Sequence, residues 1–231
     1  MGKQRITVCL PPVGPAGLKR AIGQAMAPYR YDREDHPDPD RVGEWDYWHV
    51  SGANCLFDVL PGYEDDPRLV RHDDWVEPSG DLPPSRCHGG PRGLLDLGTP
   101  RAAEARRRSD DWRAYQLFAA RHPPALPFHR FEADLGREAA VAAFREQPLI
   151  RAIDADPALE ERFTGDPATH LDDDLETYVA RHVAAVLPTP ALLTLDGRWV
   201  EAGGPDYDRA FNAHLDGLPA DTMVVRVLYH A

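Results

Sequence analysis

Apolar residues change their spacing as the chain proceeds, and each change marks an element. Residues 5–11 (RITVCLP) form a short β-prone run. Pro11 and Pro12 end it, because neither can donate to a ladder. Leu18, Ile22 and Met26 then recur at steps of four, which predicts one helix face before Pro28. Residues 30–43 (RYDREDHPDPDRVG) are acidic and punctuated by proline, and read as loop. In EWDYWHV, Trp45, Tyr47 and His49 alternate with Asp46, Trp48 and Val50. That alternation and its aromatics predict a strand, taken as central, with one face in the core and the other as the wall of a site. CLFDVL continues it or begins another strand. Residues 61–92 carry many Pro, Gly and Asp with little periodicity, and read as a long loop.

From Thr99 the spacing becomes helical. Thr99 suits an N-cap and Pro100 the first helical position. ADLGREAAVAAFREQ and PLIRAIDADPALEERF are further helical segments. In DDDLETYVARHVAAVL, the positions Leu171, Leu175, Tyr178, Val179, His182, Val183 and Val186 share one face. ALLTLDGRWVEA reads as two β runs around an Asp196-Gly197 hairpin turn. DYDRAFNAHLDGL is helical, and DTMVVRVLYHA closes as a strand alternating at Met223, Val225, Val227 and Tyr229. The expectation is an α+β fold in one domain over 1–231. Its mostly antiparallel sheet comes from the ends, 1–60 and 188–231, with ferredoxin-like order as one form. A long loop, 61–92, and a helical insertion, 93–187, lie between.

Composition narrows the function classes. The chain has 231 residues and a net charge of −12, a poor match for non-specific nucleic-acid binding. Residues 31–81 hold 15 acids and 4 arginines, net −11; residues 86–108 hold 6 arginines and 2 acids, net +4. Such runs are ordinarily solvated faces, and the Arg106–Arg108 run is a weak phosphate signal. No window has the length and apolarity to span a membrane. The N-terminal residues lack an apolar leader segment. Cys9, Cys55 and Cys87 are odd in number and widely spaced, which argues against a disulfide framework or a zinc finger. A cytoplasmic protein is expected.

Candidate chemistry gathers in a few places. Trp45 and Trp48, with Trp199 and Glu201 from the hairpin, could line a flat ligand, although large aromatics equally fill cores. His49, Cys87 and His88 are the catalytic candidates. A thiolate needs an open, electropositive site and a base that is close in space. The HGG at 88–90 echoes an esterase oxyanion loop, but no GxSxG accompanies it. HPDPD (36–40) and HLDDD (170–174) match no metal template, so no metal site and no cofactor are assigned. PPVGPAGLKR joins a strand to a helix start but lacks the phosphate-loop pattern.

MAPYRYD (26–32), GEWDYWHVSG (43–52), RGLLDL (92–97), FREQPLIRAI, LETYVARHVAAVLPTPALLTLDGRWVEAG and LPADTMVVRVLYHA occur in this order. Together they resemble a family of uncharacterised actinobacterial and phage proteins with an APY segment, an acidic loop and a WDYW strand. That family has Gly-Gly-Arg-Trp after the aromatic strand, where this chain has Ser51-Gly52-Ala53-Asn54. It has a Gly- and Trp-rich segment after the hairpin, where this chain has AGGPDYD. The resemblance implies a phage–host setting and carries over no catalytic residues.

Three functions remain in play. The first is an accessory or regulatory protein that binds a macromolecular partner or small ligand, without direct nucleic-acid or membrane binding. The second is a hydrolase or transferase for a phosphorylated or nucleotide-like substrate, which requires His49 and His88 at a shared cavity. The third is an acidic mimic of nucleic acid, built on the carboxylates of 31–81.

Overall fold

The two most apolar terminal runs find each other. β1 (Lys3–Leu10) and β9 (Met223–His230) pair antiparallel along their whole length, from Lys3 opposite His230 to Leu10 opposite Met223. The structure, a computed structural model, describes residues 2–31, 44–51, 55–71, 82–163, 173–203 and 206–230. Strand side chains alternate between faces. Ile6, Val8, Leu10, Met223, Val225, Val227 and Tyr229 therefore join one core cluster with Leu18, Ile22 and Met26 of α1 (Pro15–Met26). Thr7, Cys9, Val224 and Arg226 point the other way, and all four are buried.

β7 (Ala191–Leu193) lies parallel to the free side of β1 and returns through a hairpin to β8 (Trp199–Glu201). The turn falls on Asp196-Gly197, and Gly197 sits at φ 80°, a conformation costly for other residues. The outer side of β9 is shared by two short strands. β2 (Tyr47–Val50) pairs with Val227–His230, and β5 (Gly89–Pro91) pairs with Met223–Val225. The strand path is β2-β9-β1-β7-β8, with β5 beside β2 on β9. A second small sheet orders β4 (Arg86–Cys87), β3 (Phe57–Val59) and β6 (Leu95–Asp96).

This is an α+β fold with a mostly antiparallel sheet. Two expectations change. The aromatic strand β2 is an edge strand, because β9 takes the centre with β1. The order is also not ferredoxin-like: in that split arrangement another strand separates the parallel pair, whereas β1 and β7 touch directly. The expected loop 61–92 contains β4 and β5. Gly-Gly-Pro carries no alternating side chains, so periodicity could not show β5. Gly89 is required there, since a Cβ would lie 2.3 Å from the Val224 carbonyl oxygen.

The chain divides into two compact units, 1–100 with 187–231 and 101–186. The second is helical: most of α2 (Gly98–Ala119), then α3 (Phe128–Leu135), α4 (Arg137–Arg145), α5 (Pro148–Asp154), α6 (Pro157–Arg162) and α7 (Leu175–Ala184). Tyr115, Ala125, Leu149, Ile153 and Phe163 form its core. Arg162 donates to the buried Asp111 at 2.9 Å. Asp96, not Thr99, caps α2, accepting from Gly98 and Thr99 at 3.1 and 2.8 Å. Asp174 caps α7 by accepting from Thr177. α8 (Tyr207–Gly217) belongs to the sheet unit. Among the described residues no helix is long and apolar enough to cross a membrane.

Candidate functional site

The structure brings the predicted tryptophans together, but on the helix-covered face of the sheet. Trp45 is buried in the core cluster, and its indole N–H donates to the Met26 carbonyl at 2.9 Å. Trp48, opposite Tyr229 on β9, packs against the same cluster and approaches Gly23 of α1. Trp199 stacks at a tilt on Tyr29, with centroids 5.1 Å apart, and edge-on to Tyr229 at 5.3 Å. The Tyr29 hydroxyl closes the group: it donates to Gly197 O at 2.7 Å and accepts from Trp199 N at 3.1 Å. These aromatics join α1 to the hairpin as packing. Glu201 is exposed on edge strand β8.

Of the catalytic candidates, the two histidines lie along β9 and Cys87 lies on the small sheet. His49 lies opposite Leu228 on the reverse face. His88 flanks β5, and its carbonyl accepts from Arg226 N at 2.7 Å. Ser51 N donates to Arg226 O at 3.2 Å, so β2 and β5 meet at Arg226. Both histidines thus border β9 within two residues of each other. Cys87 is wholly buried and pairs with Phe57 on β3. Burial pushes its thiol up to about 11, against the lowering effects of a Gly89 backbone bond and Arg71. A thiol so placed stays protonated at neutral pH and lacks the exposure that nucleophilic attack requires. Cys9, beside it in chemistry though not in sequence, is pushed up to about 12 by burial.

Sequence reading missed Arg226. It is wholly buried on the reverse face, and its guanidinium stacks 4.2 Å from the Phe57 ring centroid. One terminal nitrogen donates to Thr7 Oγ1 and the other to Leu187 O, the latter at 2.6 Å. Thr7 and Thr189 hydroxyls share a 2.8 Å bond, and the Tyr207 hydroxyl donates to Thr189 O. Burial pulls the Arg226 pKa down to about 10, opposed by Cys55, Tyr207 and Cys9, so it stays charged near pH 7. The available signal was parity: Val224 and Leu228 flank it at i±2, so the arginine had to share a buried face.

A groove of about 450 Å³ opens elsewhere on this unit. Its floor is apolar: Leu18, Val70 and Met223 belong to the core cluster. Pro15, at the start of α1, and residues 64–71 form its sides. Arg71 holds that segment by donating to four carbonyls, those of Glu64, Pro83, Pro84 and Arg86. Arg68 is committed to Asp66 through a fork of 2.9 and 2.7 Å bonds. Those hydrogen bonds hold the Asp66 carboxyl down to about 2. Glu64 accepts from Gly62 N at 2.7 Å. Among the described residues neither Glu64 nor Asp65 forms an ion pair, so they are the carboxylates that the rim presents.

The basic stretch 86–108 is largely neutralised. Arg86 pairs with Asp58 at 3.0 Å, Arg107 and Arg108 pair with Glu104, and Arg92 donates to the last carbonyls of α8. No cluster of three metal-ligating side chains occurs among the described residues. HPDPD lies outside the described residues, as do His170, Leu171 and Asp172 of HLDDD. Most carboxylates of the mimic reading, in 32–43 and 72–81, lie outside as well. Comparison with protein-family models, curated proteins and solved structures returned no match.

Proposed function

We propose that the protein is an accessory binding protein that docks a partner polypeptide in the groove beside α1. The observation that carries this reading is the groove itself: core residues form an apolar floor under a rim with two carboxylates that make no ion pair among the described residues. Its volume suits one large apolar side chain with its neighbours. Its rim suits a Lys or Arg flanking that side chain, since opposite charges at a rim steer encounter and fix register. Asp65 and Glu64 supply those charges, while Arg68 and Arg71 are held by Asp66 and by backbone oxygens. The three cysteines are free thiols, which suits a reducing, cytoplasmic setting.

Panning a displayed peptide library against the purified protein tests this. Enriched sequences are expected to place Lys or Arg beside a Leu, Met or aromatic residue. The double variant Glu64→Lys, Asp65→Lys changes groove side chains that make no ion pair, so it should fold normally and lose that enrichment. If both proteins enrich the same sequences, or neither enriches any, the groove is not a docking site.

A further inference from the structure

Among the described residues, nothing accepts from the Nε–H of two arginines on the reverse face of the sheet. Arg226 Nε is buried without a hydrogen-bond partner, although both terminal nitrogens are bonded. Arg5 is the second. Its Nε is buried without a partner, and its side chain makes no hydrogen bond or ion pair among the described residues. The register makes the two neighbours. Arg5 lies opposite Leu228, and Arg226 opposite Thr7, so they are diagonal partners across β1 and β9 on one face. Side chains so placed start about 7–8 Å apart, within reach of each other for arginine. Arg5 is among the charges that depress Arg226, as a like charge must.

Among the described residues no carboxylate pairs with either guanidinium, and one of the two, Arg226, is wholly buried. A buried unmet N–H costs free energy, and the Arg5 charge repels that of Arg226, which burial shields from solvent. A water could accept from the donors, but it would not offset the charge. We propose that this face binds a small oxyanion, a phosphate or carboxylate group, bridged between Arg5 and Arg226. Guanidinium forks match such oxygens in pairs. Arg226 is the fixed half of the site, held by Thr7, Leu187 and the Phe57 ring. Arg5 is the adaptable half, partly exposed and tied by no bond, so it can follow the ligand inward. His49 stands in the same row as Arg5, across Leu228, and borders the site on its β2 side. The groove is not part of this face, and the two sites are independent.

Calorimetric titration tests the proposal, with inorganic phosphate and malonate added separately at constant ionic strength. Wild-type protein is expected to bind one anion saturably. Phosphate alone binding would identify a phosphorylated ligand, and malonate alone a carboxylate; either supports the site. Arg5→Met should weaken binding by about tenfold or more, the loss expected for one charge-assisted contact. In anion-free buffer it should melt no lower than wild type, because its removal relieves repulsion. If Arg5→Met fails to fold, Arg5→Lys decides, since it keeps the charge and loses the fork: weakened binding supports the site and unchanged binding overturns it. Glu64→Lys, Asp65→Lys should bind as wild type. Absence of saturable binding for both anions, or an Arg5→Met variant that titrates like wild type, overturns the proposal.

Discussion

At the scale of single residues, this protein buries polar groups that its neighbours only partly satisfy. Arg226 is one; His214 on α8 is another. Its Nε2 is buried without a hydrogen-bond partner, and burial holds its pKa below 6.5 against the raising influence of Asp196. The sign follows from which state takes up the proton. The unfolded chain protonates His214 near 6.5, while the folded protein does so only at lower pH. Stability is therefore full above that value and declines as pH falls through 6.5. His214→Asn should show a smaller decline in melting temperature below that pH than wild type. Parallel declines would place the pH dependence on other groups. Asp66 behaves likewise at lower pH, because Arg68 holds it down to about 2, but the exposure of Arg68 makes the contribution small.

At the scale of elements, the decisive feature is how two short strands share one edge. β2 and β5 meet at Arg226, where Ser51 and His88 divide its backbone bonds. β5 reaches β9 only because position 89 has no side chain. A Cβ there would stand 2.3 Å from Val224 O and 2.7 Å from Val225 Cα, and both are backbone atoms in the sheet centre. Gly89→Ala should thus lower unfolding free energy by about 2 kcal/mol or more, as overpacking does where nothing can yield. Gly203→Ala meets no atom within 4 Å and should be nearly neutral. Denaturant midpoints of the two variants make the comparison. Helices α1, α7 and α8 were legible from their apolar spacing, and the hairpin from Asp-Gly. β5 was not, because Gly-Gly-Pro has no pattern to read. The cap of α2 was misplaced for a related reason. Asp96 and Thr99 are both good caps, and only the path of the chain out of β6 chooses between them.

At the scale of the whole molecule, the chain carries two cores. The sheet unit is built around β1, β9 and α1, and the helical unit around Tyr115, Leu149, Ile153 and Phe163. Cores that share few side chains need not melt together. Trp112 is the helical unit's tryptophan, whereas Trp45, Trp48 and Trp199 lie in the sheet unit. In a Trp112→Phe variant, indole fluorescence should follow the sheet unit while far-ultraviolet dichroism at 222 nm is weighted to the helices. Distinct midpoints are expected; coincident curves would mean that the two units unfold as one.

The sequence by itself determined the α+β class, the terminal strands, the apolar face of α1, the hairpin and the helical middle. Each depends on the spacing of neighbours along the chain, which local patterns record. Tertiary structure alone decided which strand is central, which face of β2 is core, and where sites could form. Trp45, Trp48 and Trp199 were legible as a group worth attention, yet only the fold put Trp45 in the core and packed Trp48 and Trp199, partly buried, against it. The groove joins Pro15 to Glu64 and Met223, and the arginine pair joins Arg5 to Arg226. Those residues are far apart in sequence. The arginines are brought together by register across β1 and β9, and the groove by the packing of α1 and residues 64–71 around Met223; both are properties of the folded unit.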